Sequence, residues 1–236
     1  MSFLLHLLTS ALSALLSIAA LLGQAGPDIT GHWEGIIHAP EMAVSFEVDF
    51  ARNSKGVLMG TVNLPAERIR HLPLTSVAVS GSSITFHARS DQPLTGVVSV
   101  DGQTITGDMS ATGGTAPFTL TRTGEAQIDA PIRNAPVAKT FEGNWDGSLP
   151  SRMGSIRLVL SIANDEDGAT ARVVNLDQGS LEIPASTITV SESKVTLEFA
   201  SIGAAFSGVL AADGTAIAGT FSQSQGSAPL TFTRAK

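Results

Sequence analysis

An internal repeat constrains this chain more than any other feature. The segment Ile29–Gly35 (ITGHWEG) matches Phe141–Gly147 (FEGNWDG), which puts the two tryptophans of the protein at equivalent positions, 112 residues apart. The same offset relates Ala116–Arg122 to Ala228–Arg234. Because one offset is kept from the beginning to the end of the unit, the sequence predicts two tandem copies of a single module.

The repeat also sets the expected domain boundaries. Residues 28–122 form the first copy and residues 140–236 the second. The intervening residues 123–139 carry two prolines and little periodicity, which is typical of a linker.

The first 25 residues have a different character. They contain no Asp, Glu, Lys or Arg, and they end in the small residues Gly23 and Ala25, ahead of a polar turn. This layout is typical of a cleaved secretory signal peptide, so we expect export to the periplasm or beyond. An uncleaved membrane anchor is the alternative, because the apolar stretch is nearly long enough to cross a bilayer.

Alternation with a period of two indicates β-strands in both copies. Apolar and polar residues alternate along Ser45–Phe50 and again along Val195–Phe199. Asp101-Gly102 and Asp213-Gly214 separate such runs and are strong signals for hairpin turns. We predict an all-β protein made of two antiparallel meander barrels, with about eight or nine short strands in each.

Two tryptophan–arginine pairs specify how each barrel closes. Trp33 on the first strand and Arg122 on the last share the inward parity, and Trp145 and Arg234 repeat the arrangement. This predicts that the first and last strands pair, with the guanidinium stacked on the indole as a cation–π contact. The Gly-x-Trp and terminal Arg pattern resembles that of calycin barrels such as lipocalins, which implies a calycin-like barrel.

The second copy also resembles a β-barrel accessory module found ahead of the catalytic domain in bacterial secreted serine hydrolases of the β-lactamase-like and α/β-hydrolase types. The matching stretches are Gly143–Gly147, Leu176–Gly179, Ile183-Pro184, Phe206–Gly208, Asp213-Gly214 and Gly219–Gln223. The first copy has drifted, with Pro65-Ala66-Glu67 in place of Asp177-Gln178-Gly179. The resemblance implies an accessory module, and because the sequence ends at Lys236 we expect no hydrolase domain to follow.

Composition excludes several classes of partner and site. A formal net charge of −7 argues against nucleic acid and against docking on an anionic membrane, and we expect no membrane insertion of the mature chain. The chain has no cysteine, so it has no disulfide and no thiolate metal site. The mature histidines, His32, His38, His71 and His87, all lie in the first copy and are expected at the surface. We predict no metal site and no cofactor.

Three segments have a superficial likeness to catalytic or ion sites. Ser191–Lys194 has the Ser-x-x-Lys spacing of penicillin-recognising hydrolases, but it falls between two strands, where a hairpin turn is expected. Asn164–Gly168 is acidic but lacks the EF-hand spacing, so a solvated turn is expected. Glu41, Glu47 and Asp49 could form a glycosidase-like pair only in a cleft, whereas Glu47 and Asp49 have the outward parity.

We therefore predict an exported, non-enzymatic binding or accessory module that holds a small apolar ligand inside a barrel. The residues expected to line that space are Phe46, Phe50, Phe86, Phe199 and Phe206. Side chains of this kind can equally fill a small barrel and leave no cavity. Two other functions stay open: a protein-interaction module for a separately encoded envelope hydrolase, and an unrecognised hydrolase with its site on loops.

Overall fold

The computed structural model describes the two repeats and most of their connections. The described residues are 26–39, 42–111, 113–128, 132–151, 154–177, 181–224 and 226–235. The predicted signal peptide, residues 1–25, lies outside them.

Each repeat contributes nine strands. The first repeat contains β1 (Gly31–Ala39), β2 (Met42–Arg52), β3 (Leu58–Leu64), β4 (Ile69–Pro73), β5 (Ser76–Ser80), β6 (Ser83–Arg89), β7 (Gln92–Val98), β8 (Thr104–Ala111) and β9 (Gly114–Gly124). The second contains β10 (Gly143–Ser151), β11 (Gly154–Asp165), β12 (Gly168–Asn175), β13 (Leu181–Pro184), β14 (Thr187–Ser191), β15 (Lys194–Phe199), β16 (Ala204–Leu210), β17 (Ala216–Gln223) and β18 (Gly226–Arg234). Single turns of 3₁₀ helix cover Pro65–Glu67 and Ala200–Ile202.

The predicted fold class is confirmed. Each repeat forms one antiparallel nine-stranded sheet, in the order β4-β3-β2-β1-β9-β8-β7-β6-β5 and β13-β12-β11-β10-β18-β17-β16-β15-β14. The first strand of each repeat pairs with the last, so that Trp33 lies opposite Arg122 and Trp145 opposite Arg234.

Each sheet curls into a half-barrel that opens between the edge strands β4 and β5, or β13 and β14. The chain between each pair of edge strands forms hydrogen bonds to other neighbours. Leu74 N donates to Gly60 O on β3 at 2.9 Å, while Thr75 N donates to His87 O on β6 at 2.8 Å. Ala185 and Ser186 repeat this divergence in the second repeat. Because these amides point to opposite neighbours, the two edges separate instead of pairing.

Aromatic side chains fill one end of each half-barrel. In the first repeat, Phe50 packs edge-on against Phe86, with ring centroids 5.4 Å apart. In the second, Phe206 packs edge-on against Phe232 at 5.2 Å. Contacts of this kind contribute roughly 0.5–1.5 kcal/mol each beyond the apolar area they bury.

The arginines cap this filled end. The Cζ atom of Arg122 lies 4.7 Å from the centroid of the Trp33 ring. The equivalent distance from Arg234 to Trp145 is 4.1 Å. Arg234 is exposed, so its guanidinium covers the rim of the half-barrel and does not reach its interior.

The same guanidinium groups also hold the chain where it enters each repeat. Arg234 donates from Nη1 to Glu142 O at 2.8 Å, from Nη2 to Thr140 O at 2.6 Å and from Nε to Gly214 O at 3.0 Å. Arg122 contacts the carbonyls of Thr30, Asp28 and Gly102 in the equivalent way. Each arginine thus links the first strand, the last strand and a hairpin turn through charge-assisted hydrogen bonds.

The predicted linker is held by both repeats. Gln127 N donates to Asp49 Oδ1 of the first repeat at 2.8 Å. Asn134 Oδ1 accepts a hydrogen bond from Ile188 N of the second repeat at 2.9 Å, and Val137 is buried in that repeat's core. These contacts oppose free swinging of one repeat against the other.

Removing one cap should destabilise its repeat. Arg234→Ala deletes the cation–π contact and three hydrogen bonds to carbonyls, so we expect a loss of about 1–2 kcal/mol and a Tm lowered by roughly 2–8 °C in thermal denaturation. Arg172→Ala is the matched control, because that exposed arginine makes only a 3.7 Å contact with Glu182 and should leave Tm nearly unchanged. An unchanged Tm for Arg234→Ala would contradict the role of the cap.

Candidate functional site

The phenylalanines of the first repeat divide between lining a cavity and filling the core. Phe46 and Phe86 line a cavity of about 180 Å³ at the open end of the half-barrel. Phe50 is fully buried against Phe86 and does not line that cavity.

The second repeat divides its two predicted residues in the same way. Phe199 lines a cavity of about 550 Å³, whereas Phe206 fills the capped end against Phe232. All five predicted phenylalanines are at most 2% exposed and belong to the apolar cores, and Phe46, Phe86 and Phe199 also lie on a cavity wall.

The larger space, which we call the inter-repeat cavity, lies at the open end of the second half-barrel. Its apolar lining comes mainly from the inward residues of the second sheet and the 3₁₀ turn that follows β15: Leu149, Ile156, Leu158, Val173, Leu181, Ile183, Phe199, Ile202 and Phe221. Asn175 and Gln223 are its polar residues from the second repeat.

Strand alternation and side-chain size explain where this cavity lies. Along β10, Trp145 and Leu149 face the same side, roughly 13 Å apart. Trp145 is fully buried beneath its arginine, whereas Leu149 is only half-buried and lines the cavity. The Trp145 ring therefore fills the capped end, whereas the open end is lined mainly by shorter aliphatic side chains such as Leu149.

The edge strand β4 of the first repeat contributes to the wall of this cavity. Ile69, the first residue of β4, is 4% exposed and forms part of the cavity wall. Its equivalent in the repeat, Leu181 at the start of β13, is 7% exposed and belongs to the apolar core of the first half-barrel. Ile69 itself also belongs to the apolar core of the first half-barrel, so residues of both copies meet at this junction.

An ion pair lies between the two cavities. Arg89 Nη2 is 3.3 Å from Glu67 Oε2, and both residues line both the 180 Å³ and the 550 Å³ spaces. The Arg89 side chain is 22% exposed and that of Glu67 is 49% exposed. Among the described residues that line the inter-repeat cavity, these two are the ionisable ones.

No motif in the sequence marks this pair as functional. Its only signal was the divergence between the copies at residues 65–67, where Glu67 stands at the position of Gly179. Arg89 likewise stands at the position of Ser201. A difference between two otherwise similar repeats marked the site, but only the packing of one copy against the other shows that the two charges meet at the cavity.

The prediction that His32 faces solvent is wrong. Its Nδ1 atom lies 2.9 Å from Oδ1 of Asp49, a residue that is fully buried beneath the linker. The second repeat has a neutral version of this contact, in which Ser161 Oγ donates to Asn144 Oδ1 at 2.7 Å. The outward parity of His32 and Asp49 is correct, but the linker folds over that face and shields it.

The other histidines and carboxylates considered do not converge. His38 and His71 are exposed, and His87 contacts Ser76 Oγ at 2.8 Å. Glu47 accepts a hydrogen bond from Asn63 Nδ2 at 2.8 Å, whereas Asp49 contacts His32 and Gln127, so the two carboxylates share no partner. Glu41 lies outside the described residues. Within the described ranges, the structure has no group of three or more His, Cys, Asp or Glu side chains that could hold a metal ion.

The two remaining sequence candidates are turns. Ser191 pairs with Lys194 and closes the β14–β15 hairpin, so the pair does not stand at the helix start that Ser-x-x-Lys chemistry needs. In the acidic turn, Asn164 hydrogen-bonds the backbone of Val137 at 2.9 and 2.8 Å. Asp167 forms a 3.1 Å ion pair with Arg133.

Asp177, from the stretch that resembles the accessory module, stabilises a turn beside the cavity. Arg157 donates to its Oδ1 from Nε and Nη2 at 2.9 and 2.7 Å, and the backbone N–H of Arg157 donates to Oδ2 at 2.7 Å. The side-chain hydrogen bonds from Arg157, followed by the backbone one, lower the pKa of the Asp177 carboxyl below its ordinary value. This carboxylate therefore acts in structure, holding the end of β12 against β11.

Comparisons with known proteins give no family. No family model matches the chain, and no curated protein matches it. Among solved structures, a "putative outer membrane protein" from Bacteroides fragilis matches at 12% identity and a TM-score of 0.27, with 88% of this chain and 98% of that chain covered. A DUF3598-family protein of unknown function from Nostoc punctiforme matches at 13% identity and a TM-score of 0.23, with 87% and 96% covered.

Across the described part of the chain, no helix has the length and apolarity needed to cross a membrane.

The packing of Leu181 in the core of the first half-barrel makes that repeat depend on the second. Leu181→Ala should lower the free energy of unfolding by about 2–4 kcal/mol, because it leaves a cavity in the core of the first half-barrel. We also expect faster hydrogen exchange in the first repeat, although the mutation lies in the second. The exposed Leu176→Ala is the matched control. Faster exchange confined to the second repeat would show that the two cores are independent.

Proposed function

We propose that this protein is a non-enzymatic binding module that holds one small apolar or amphipathic molecule in the inter-repeat cavity. The observation that carries the proposal is the cavity itself: about 550 Å³, lined by aliphatic and aromatic side chains with a few polar groups at its edge. Small-molecule sites in proteins have volumes of roughly 300–1,000 Å³ and this kind of lining.

Packing energetics support the same conclusion. The cavity is open to solvent, so its apolar lining is in contact with water, which is unfavourable. An apolar ligand would remove that lining and its own surface from water. The cavity of the first half-barrel, at about 180 Å³, falls below the usual size of such sites, so we propose one ligand for each chain.

The cellular setting that we propose is the cell envelope or the medium outside it. The uncharged apolar segment at residues 1–25 supports export. The resemblance of the second repeat to modules beside secreted serine hydrolases supports an accessory role near envelope enzymes.

A neutral reporter tests the cavity without involving charge. We expect N-phenyl-1-naphthylamine to bind the mature protein at one saturable site, with enhanced fluorescence. Val173→Trp, which places a large side chain in the cavity wall, should abolish the enhancement. Val209→Trp is the matched control, because Val209 is 52% exposed on the outer face of β16 and the reporter should still bind. Equal binding by both variants, or none by the parent protein, would refute the proposal.

The natural ligand can be sought directly. Native mass spectrometry of the mature protein, purified gently from its own cell envelope, should show a stoichiometric small-molecule adduct that is lost on denaturation. A clean mass with a co-purifying protein would instead favour the protein-interaction module.

A further inference from the structure

We propose that the ligand is an amphiphile with one anionic headgroup, a carboxylate, which Arg89 binds while the apolar tail occupies the inter-repeat cavity. This inference rests on the proposed function and adds the chemical class of the ligand.

The lining of the cavity supplies the first argument. Most of the apolar lining comes from the second repeat, with Ile69 from the first, and among the described residues the charged ones are Glu67 and Arg89 of the first repeat. Arg89 is the one cation among the described residues of the lining. A site with an apolar body and one cationic group at its edge is complementary to a molecule with an apolar tail and one negative charge.

The state of the Arg89 guanidinium supplies the second argument. Arginine has five N–H donors, and among the described residues the one acceptor it contacts is Glu67 Oε2, at 3.3 Å. Charge-assisted N–H···O bonds are ordinarily about 2.7–2.9 Å long, and arginine prefers to hold a carboxylate through two parallel bonds. The present contact is long and single, so most of the donor capacity of Arg89 remains available.

Replacing the Glu67 carboxylate by a ligand carboxylate at Arg89 costs little free energy. The Glu67 side chain is 49% exposed, so its carboxylate can return to water when a ligand carboxylate replaces it. Arg89 is more buried, at 22% exposure, and would be poorly solvated without an anion. A cationic headgroup would have to take Glu67 and leave that guanidinium unpaired, which is unfavourable for a partly buried charge.

The divergence between the repeats supplies the third argument. The positions equivalent to Glu67 and Arg89 are Gly179 and Ser201, which cannot form an ion pair. The charged pair therefore exists once in the duplicated chain, at the junction of the two cavities. One anionic headgroup for each chain matches this stoichiometry.

Three ligands that share a ten-carbon tail test the headgroup by isothermal titration calorimetry at pH 7.5: decanoate, decanol and decyltrimethylammonium. We expect decanoate to bind at a one-to-one ratio and at least about tenfold more tightly than decanol, because charge-assisted hydrogen bonds are worth more than neutral ones. Decyltrimethylammonium should bind most weakly of the three.

Variants at the ion pair locate the effect. Arg89→Ala should weaken decanoate binding far more than decanol binding and so remove the preference for decanoate, whereas Arg89→Lys should restore part of that preference. Glu67→Gln should bind decanoate at least as tightly as the parent, because it frees the guanidinium. Arg172→Ala is the matched control, since its ion pair with Glu182 lies outside both cavities and its loss should not alter decanoate binding. Circular dichroism spectra and Tm values that match those of the parent show that the Arg89 variants are folded.

The outcomes separate the two proposals. If decanol and decanoate bind equally and Arg89→Ala changes neither, the headgroup assignment is wrong and the binding function stands. Tightest binding of the quaternary ammonium would assign the headgroup to Glu67 and likewise overturn the proposal. If none of the three binds and the neutral reporter also fails, the binding function itself is wrong.

Discussion

The stack of arginine on tryptophan at the start and end of each repeat is the interaction on which the rest of the structure depends. Arg122 and Arg234 connect the first strand, the last strand and a hairpin turn through carbonyl hydrogen bonds and a cation–π contact. The first and last strands of each repeat are thereby joined at the centre of its sheet. The two edge strands of each sheet therefore come from the middle of the repeat's sequence: β4 and β5 in the first repeat, β13 and β14 in the second. Those edges open away from the cap and leave apolar residues uncovered.

The second copy of the module reduces the exposure of apolar residues at the open end of each half-barrel. A half-barrel with an open apolar end risks association with other chains. Here each copy covers the other: Ile69 enters the wall of the second half-barrel, and Leu181 enters the core of the first. The cavity that we assign to ligand binding is formed by the pair, because the second repeat supplies most of its apolar lining and, among the described residues, the ionisable ones come from the first.

Several features of the site could not be read from strand alternation. Parity correctly placed Asp49 on the outer face of β2, yet the linker covers that face and leaves Asp49 fully buried against His32. Parity also gave Phe46, Phe50, Phe199 and Phe206 the same inward direction. Whether each ring lines a cavity or fills the core depends on its depth from the capped end, which alternation does not encode.

The amino-acid sequence by itself determined the duplication, the all-β class and the pairing of first with last strands, because these follow from local alternation and from residues repeated 112 positions apart. Tertiary structure alone decided where the half-barrels open, how the copies cover one another and that Glu67 meets Arg89 beside a cavity. The physical reason is the separation, along the sequence, of the residues that determine each feature. Alternation and turns are properties of neighbouring residues, whereas a cavity is the space left when two surfaces distant in sequence pack imperfectly.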